Sequence, residues 1–113
     1  MVYNFDDVKR GDYVKQRIKN ALLIECEDVD FTTVSNIEFY LKQNGKEFPP
    51  YTPHVLDAHR MVVIVPYEDA VVLGVSPARM QFAFTDAEGN PRASEIVTKS
   101  VGELLKEAGY DPV

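Results

Sequence analysis

The chain has 113 residues, of which 45% are hydrophobic and 27% charged, a composition typical of one globular domain rather than a disordered segment. Its 18 Asp and Glu outnumber 12 Lys and Arg, so a formal charge of -6 opposes contact with nucleic-acid phosphates. One cysteine, Cys26, cannot form an intrachain disulfide, and no apolar run approaches the roughly 18 residues of a membrane helix.

The first quarter of the chain combines a polar opening with strand-like patterns. We expect residues 1–12 to form a polar arm or a short edge segment, and residues 13–113 to form one domain. Between residues 13 and 19, apolar side chains alternate with basic ones, which predicts a strand with one basic, solvated face. Residues 21–26 are continuously apolar apart from Glu25, which is typical of a strand buried on both faces.

The next segment contains the clearest strand pattern and a turn. Between residues 37 and 42, apolar side chains at odd positions alternate with Glu38, Tyr40 and Lys42, as on a half-buried sheet. Asn44 and Gly45 then predict a tight hairpin turn, because both tolerate a positive φ angle. Residues 48–53 include three prolines, so they predict an extended or edge segment rather than an interior strand.

The second half of the chain continues the β pattern with little helix. Residues 61–65 form the most hydrophobic stretch and predict a central strand that ends at Pro66. Proline followed by acidic residues favours a short helical turn near residues 67–73. The alternating residues 79–85 and the segment 93–101 predict a hairpin, and the C-terminal segment suits either a short helix or a strand.

Short strands separated by turns every eight to twelve residues indicate an antiparallel fold. No long helical pattern separates the strands, which disfavours a parallel sheet. We therefore predict an all-β antiparallel β-sandwich or barrel, with one short helical turn near residues 67–73 and a C-terminal segment that is either a short helix or a strand.

Side chains with catalytic or ligand-binding chemistry are sparse and scattered. Asp57 and His59 would share a face of an extended segment, so a small-ligand or metal site that uses them is the alternative function. His54 has the opposite parity, and Cys26 is distant in sequence. No serine lies in a nucleophile elbow, and no phosphate-binding glycine motif occurs. We expect no enzymatic activity and no cofactor.

The aromatic residues point to protein contacts instead. Tyr40 falls on the polar face of its strand, Phe48 and Tyr51 lie in the proline-rich segment, and Tyr67 opens the helical turn. Aromatic side chains off the core parity suit an interface, because they offer a large contact area at low entropic cost. The alternative is that the segment at residues 48–53 folds over the sheet and covers an edge.

The order of these features resembles a known family. The carrying segments are a basic-then-apolar opening strand (residues 14–26), IEFYLKQ (37–43), VIVPYEDA (63–70), RMQFAF (79–84), the turn DAEGNP (86–91) and ASEIV (93–97) running into VGELL (101–105). Together they resemble small phage and prophage structural proteins of Gram-positive bacteria, and the N-terminal domain of phage baseplate upper proteins.

That resemblance implies an all-β, immunoglobulin-like antiparallel β-sandwich that serves as a baseplate or tail-associated module without enzymatic activity. Its partners would be other phage structural proteins or copies of itself, so an oligomer is possible, and nucleic acid and membranes would not be partners. It would be a virion component, or lie in the bacterial cytoplasm before assembly. The N-terminus lacks the apolar core of a signal peptide, so we do not expect secretion by that route.

Overall fold

The computed structural model describes residues 7–13, 18–70, 73 and 76–100. In chain order the elements are β1 (Asp7–Tyr13), β2 (Ile18–Glu25), β3 (Ser35–Gln43), β4 (Lys46–Glu47), β5 (His54–Val55), β6 (Arg60–Ile64), α1 (Tyr67–Ala70), β7 (Ala78–Thr85), β8 (Pro91–Ala93) and β9 (Val97–Lys99). Every strand pairing among them is antiparallel. In this part of the chain no helix is long and apolar enough to traverse a lipid bilayer.

The strands form two sheets that share one core. The first sheet has four strands in the order β1-β2-β6-β5, and the second has five, ordered β4-β3-β7-β8 with β9 also on β7. The prediction of an all-β antiparallel sandwich is confirmed. This order coincides with the ABED and CFG order of immunoglobulin-type sandwiches, with β4 as an added edge strand. The cysteine pair and tryptophan of antibody domains are missing, because the chain has one Cys and no Trp.

The core lies between the inner faces of the two sheets. Alternate side chains of β2 and β6 meet alternate side chains of β3 and β7, and the contributing residues are Leu22, Ile24, Met61, Val63, Phe39, Leu41, Met80, Phe82 and Phe84. Phe31, in the β2–β3 connection, packs edge-on against Phe82 with ring centroids 5.6 Å apart. Such aromatic pairs contribute about 0.5–1.5 kcal/mol beyond their buried area. The period-two pattern read from the sequence therefore builds this core.

The first sheet is also buried on its outer face. Ala21 and Val62 point away from the core, since they alternate with Leu22 and Met61, yet they are 0% and 1% exposed. The expectation that residues 21–26 are buried on both faces is confirmed on the outer face only at Ala21, because Leu23 and Glu25, which share its outward parity, are half-buried. The central place of β6, between β2 and β5, confirms the expected central strand at residues 61–65.

The local turn predictions are confirmed where the structure describes them. Asn44 and Gly45 have φ angles of 51° and 81°, the pair of positive values that a type I′ turn requires. The segment at residues 48–53 runs beside β3, where Tyr51 and Phe39 exchange two backbone hydrogen bonds of 2.8 and 2.9 Å. The helical turn expected near residues 67–73 is present as the four-residue α1.

The opening segment and the expected return strand differ in outcome. Residues 1–12 are predicted to form an arm or a short edge segment; residues 7–13 form edge strand β1 along β2, and residues 1–6 fall outside the described residues. The return strand expected at residues 93–101 is interrupted, because Ser94, Glu95 and Ile96 separate β8 from β9. The predictions for residues 14–17 and for the C-terminal helix or strand fall outside the described residues.

Candidate interaction surface

The outer face of the second sheet is built from alternate residues of β3 and β7. Strand register places Lys42 opposite Arg79, Tyr40 opposite Gln81, and Glu38 opposite Ala83. These residues alternate with the buried Phe39, Leu41, Met80 and Phe82, so they point away from the core. We call this set the outer face. It is a polar surface with an aromatic side chain at its centre.

Tyr40 is the aromatic centre of the outer face. Its side chain is 38% exposed, and its hydroxyl donates a hydrogen bond to Glu38 Oε2 at 2.5 Å. The hydrogen bond to Glu38 raises the pKa of the Tyr40 hydroxyl, because the anion would lose that donor and face the carboxylate. The neutral phenol ring is therefore held on the outer face. The sequence prediction placed Tyr40 on this face, and its role as a contact residue stays a prediction.

A bulge in the neighbouring edge strand directs a second apolar side chain outward. Ala93 and Val97 are four positions apart, whereas their partners Ala83 and Met80 are three positions apart, so one residue is extra on the edge. Ile96 lies within this bulge and is 51% exposed. Bulges commonly re-aim a side chain in this way. No sequence pattern indicated this exposure, since Ile96 has the pattern of an ordinary strand residue.

Hydrogen bonds between β7 and Ser94 fix the bulge. The Phe82 backbone N–H donates to Ser94 Oγ at 3.0 Å, and the Ser94 N–H donates to the Phe82 carbonyl at 2.8 Å. Ser94 Oγ donates in turn to the Glu95 carbonyl at 2.8 Å, and Gln81 Nε2 donates to the Ser94 carbonyl at 2.8 Å. Ser94 is 1% exposed, so the bulge is built into the sheet rather than being a frayed edge.

An open groove of about 280 Å³ lies on the outer face. Its lining includes Tyr40, Lys42, Arg79, Gln81 and Ile96. Glu47 also lines it and forms an exposed 3.6 Å ion pair with Lys42. Exposed aromatic and aliphatic side chains beside charged ones are the composition of a protein contact surface.

Two of the four predicted contact residues belong to the core. Phe48 is 6% exposed and Tyr51 is 9% exposed, so their expected surface exposure is wrong. The structure instead has the alternative arrangement, in which residues 48–53 fold over the sheet beside β3. The Tyr51 hydroxyl donates a hydrogen bond to Asp69 Oδ2 at 2.7 Å. Burial, and to a lesser degree this hydrogen bond, raises the pKa of the Tyr51 hydroxyl. The side chain of Tyr67 lies outside the described residues.

Asp57 and His59 lie in the connection between β5 and β6, but their polar atoms serve the loop. Asp57 Oδ1 accepts the His59 backbone N–H at 3.0 Å, and its Oδ2 accepts Arg60 Nε at 2.7 Å. These two donors lower the Asp57 pKa. No group of three or more His, Cys, Asp or Glu side chains in the described ranges could hold a metal ion.

The His59 ring binds the β2–β3 connection. Its Nδ1 lies 2.9 Å from the Val29 carbonyl oxygen and 3.1 Å from that of Cys26. The hydrogen bond to the Val29 carbonyl, and to a lesser degree that to the Cys26 carbonyl, raises the His59 pKa, because both stabilise the protonated ring. Desolvation of the ring opposes this shift without cancelling it. Cys26, distant in sequence, is thus adjacent in space, and an open depression of about 410 Å³ lies between the two loops.

The comparisons with known proteins found no match. No family model fits the chain, and neither a curated protein nor a solved structure is significantly similar to it.

Proposed function

We propose that this chain is a non-enzymatic, immunoglobulin-like structural module that acts by protein–protein contact through its outer face. The observation that carries the proposal is the exposure of Tyr40 and Ile96, 38% and 51%, at one open groove. Tyrosine and arginine are among the residues that most often dominate binding energy at protein interfaces, and Tyr40 lies beside Arg79 on this face. Lys42 and Arg79 supply the charged rim that such an interface needs.

Contact through a face is favoured over addition of a strand at three of the four sheet edges; the fourth edge, the seven-residue β1, remains long enough to pair with another strand. The edge strands β4 and β5 have two residues each, too few to template another strand. The third edge begins at Pro91 and is interrupted by the Ser94 bulge, and both features block continuous strand pairing. Of the mechanisms considered from the sequence, exposed aromatic contact is therefore favoured over edge pairing at these edges.

We propose further that the partners are structural proteins of a phage or prophage particle, copies of this chain included. The order of sequence features that resembles such proteins supports this assignment. The chain would then be a baseplate or tail-associated component, present in the bacterial cytoplasm before assembly. The acidic balance, at a net charge of -6, supports a protein partner over nucleic acid.

Co-expression with structural proteins encoded by neighbouring genes tests the proposal. We expect the chain to associate with one of them or with itself, and Tyr40→Ser and Ile96→Ser to weaken that association. Leu56→Ser is the matched control, because Leu56 is 45% exposed but follows β5 of the first sheet. Absence of any association, or an association that only Leu56→Ser weakens, would overturn the proposal.

A further inference from the structure

We infer that the outer face binds the same face of a second copy of this chain, in a two-fold arrangement centred on Tyr40. This inference rests on the proposed function of the outer face and names its partner. Three features of the chain favour this arrangement: the order of charges along β3, the charged neighbours of Lys42 in β4 and β7, and the net charge of the whole chain.

The charges of β3 run from acidic to basic across Tyr40. Glu38, Tyr40 and Lys42 are alternate residues of one strand, and the Tyr40–Glu38 hydrogen bond shows that those two side chains share a face. About 13 Å of strand separates Glu38 from Lys42. Lys42 lies between Glu47 and Arg79 in the sheet, so its end of the face carries a net positive charge. The other end carries Glu38 beside the neutral Ala83.

A two-fold axis through Tyr40, parallel to the face and perpendicular to β3, reverses this order in the second copy. Lys42 of each copy then lies over Glu38 of the other, and the two Tyr40 rings meet at the centre. The surface is therefore complementary to itself, which is the requirement of a two-fold interface. Ile96, 51% exposed in the same groove, extends the apolar centre.

The charge of the chain favours this face over others for contact between copies. A net charge of -6 makes two copies repel each other in most orientations. The outer face instead presents both signs in complementary order. On the first sheet, the outward-pointing Ala21 and Val62 are already buried, so that surface offers no equivalent contact at its centre. The outer face comprises six residues of β3 and β7, whereas a standard interface uses roughly 20–30 residues a side, so we expect a weak, concentration-dependent dimer.

Sedimentation equilibrium of charge variants over a wide concentration range tests the arrangement. All variants carry Glu47→Gln, which removes the ion-pair partner of Lys42. Glu38→Lys places Lys at both ends of the row, and Lys42→Glu places Glu at both ends. We expect each to weaken dimerisation about tenfold, since two attractive contacts become repulsive. The double variant Glu38→Lys with Lys42→Glu restores complementarity. We therefore expect its dimer dissociation constant to lie within about threefold of that of the Glu47→Gln variant alone.

Glu88→Lys is the matched control, because it makes the same charge change at an exposed residue in the β7–β8 turn. A chain that stays monomeric at the highest concentration overturns the inference. So does a dimer that Glu38→Lys weakens no more than Glu88→Lys, or one that the double variant fails to restore. If the chain is monomeric but Tyr40→Ser abolishes binding to a co-encoded structural protein, the proposed function stands without self-pairing. If neither association occurs, both fail.

Discussion

Ser94 Oγ accepts the backbone N–H of Phe82 at 3.0 Å, in the place that a strand carbonyl would take in a regular ladder, while the Ser94 N–H donates to the Phe82 carbonyl at 2.8 Å. Both residues are buried, at 1% and 0% exposure, so the N–H has no access to solvent. A serine side chain thus replaces a strand carbonyl and allows the edge to bulge. The same bulge carries Ile96 to the outer face.

Ser94→Ala is expected to destabilise the fold by about 1–3 kcal/mol, because it leaves the buried Phe82 N–H unsatisfied. Urea unfolding monitored by circular dichroism measures this change in the free energy of unfolding. Thr98→Ala removes a hydroxyl from an exposed residue of β9 and should change stability by less than about 0.5 kcal/mol. Equal effects of the two substitutions would show that the Ser94 hydroxyl does not hold the bulge.

The two tyrosine hydroxyls that bind carboxylates should differ in their contribution to stability. Tyr51→Phe removes a part-buried hydrogen bond to Asp69 that joins residues 18 positions apart. We expect a loss of about 1–2 kcal/mol in the free energy of unfolding. Tyr40→Phe removes an exposed hydrogen bond within one strand and should cost under about 0.5 kcal/mol. The reverse order of the two losses, measured by chemical denaturation, would contradict the burial described for Tyr51.

His59 should make stability depend on pH near neutrality. Its pKa in the folded chain is raised by the Val29 and Cys26 carbonyls, with smaller contributions from Glu27 and Asp30. Its stabilising contribution is therefore complete below the unfolded pKa of about 6.5, and is lost as pH rises through the higher folded value. We expect the free energy of unfolding to fall over that range.

In His59→Asn this part of the pH dependence should be absent, whereas His54→Asn, at an exposed residue of β5, should retain it. Thermal unfolding at a series of pH values provides the measurement. A pH profile that is the same in wild type and His59→Asn would rule out His59 as its source.

Gly45→Ala should destabilise the β3–β4 hairpin without any steric clash. A Cβ at this position would meet nothing within 4 Å, but the φ angle of 81° is strained for alanine. The expected loss is about 1–2 kcal/mol by urea unfolding. Asn44→Gly keeps both positive φ angles accessible and should cost much less. If Gly45→Ala is neutral, the turn has another conformation in solution.

The core was predictable from the sequence because its signal is local. Alternation of Met80, Phe82 and Phe84 with polar residues identified the inner face of β7, and Asn44-Gly45 identified the turn. Each depends only on the spacing of neighbouring residues. The antiparallel two-layer fold followed from these local patterns.

The remaining features depend on contacts between distant residues. Phe48 and Tyr51 looked exposed because prolines break their strand pattern, yet the segment folds over the sheet and Tyr51 reaches Asp69. Ser94 resembles any polar strand residue, and its bonds to Phe82 depend on a register that no local pattern encodes. Ile96 is exposed only because the bulge at Ser94 turns its side chain outward. Of the candidate contact residues whose side chains the structure describes (Tyr40, Phe48 and Tyr51), Tyr40 alone combined a readable parity with observed exposure on the outer face.

The central claim is that the outer face, rather than the loops around His59 or an open edge, is the contact surface. Backbone amide NMR spectra recorded while the protein concentration is raised, or while a co-encoded structural protein is added, test it residue by residue. We predict that the shifts concentrate at residues 38–42, 79–83 and 94–96. Shifts concentrated on β1, on β5 or around residues 57–60, with the outer face unaffected, would contradict the account.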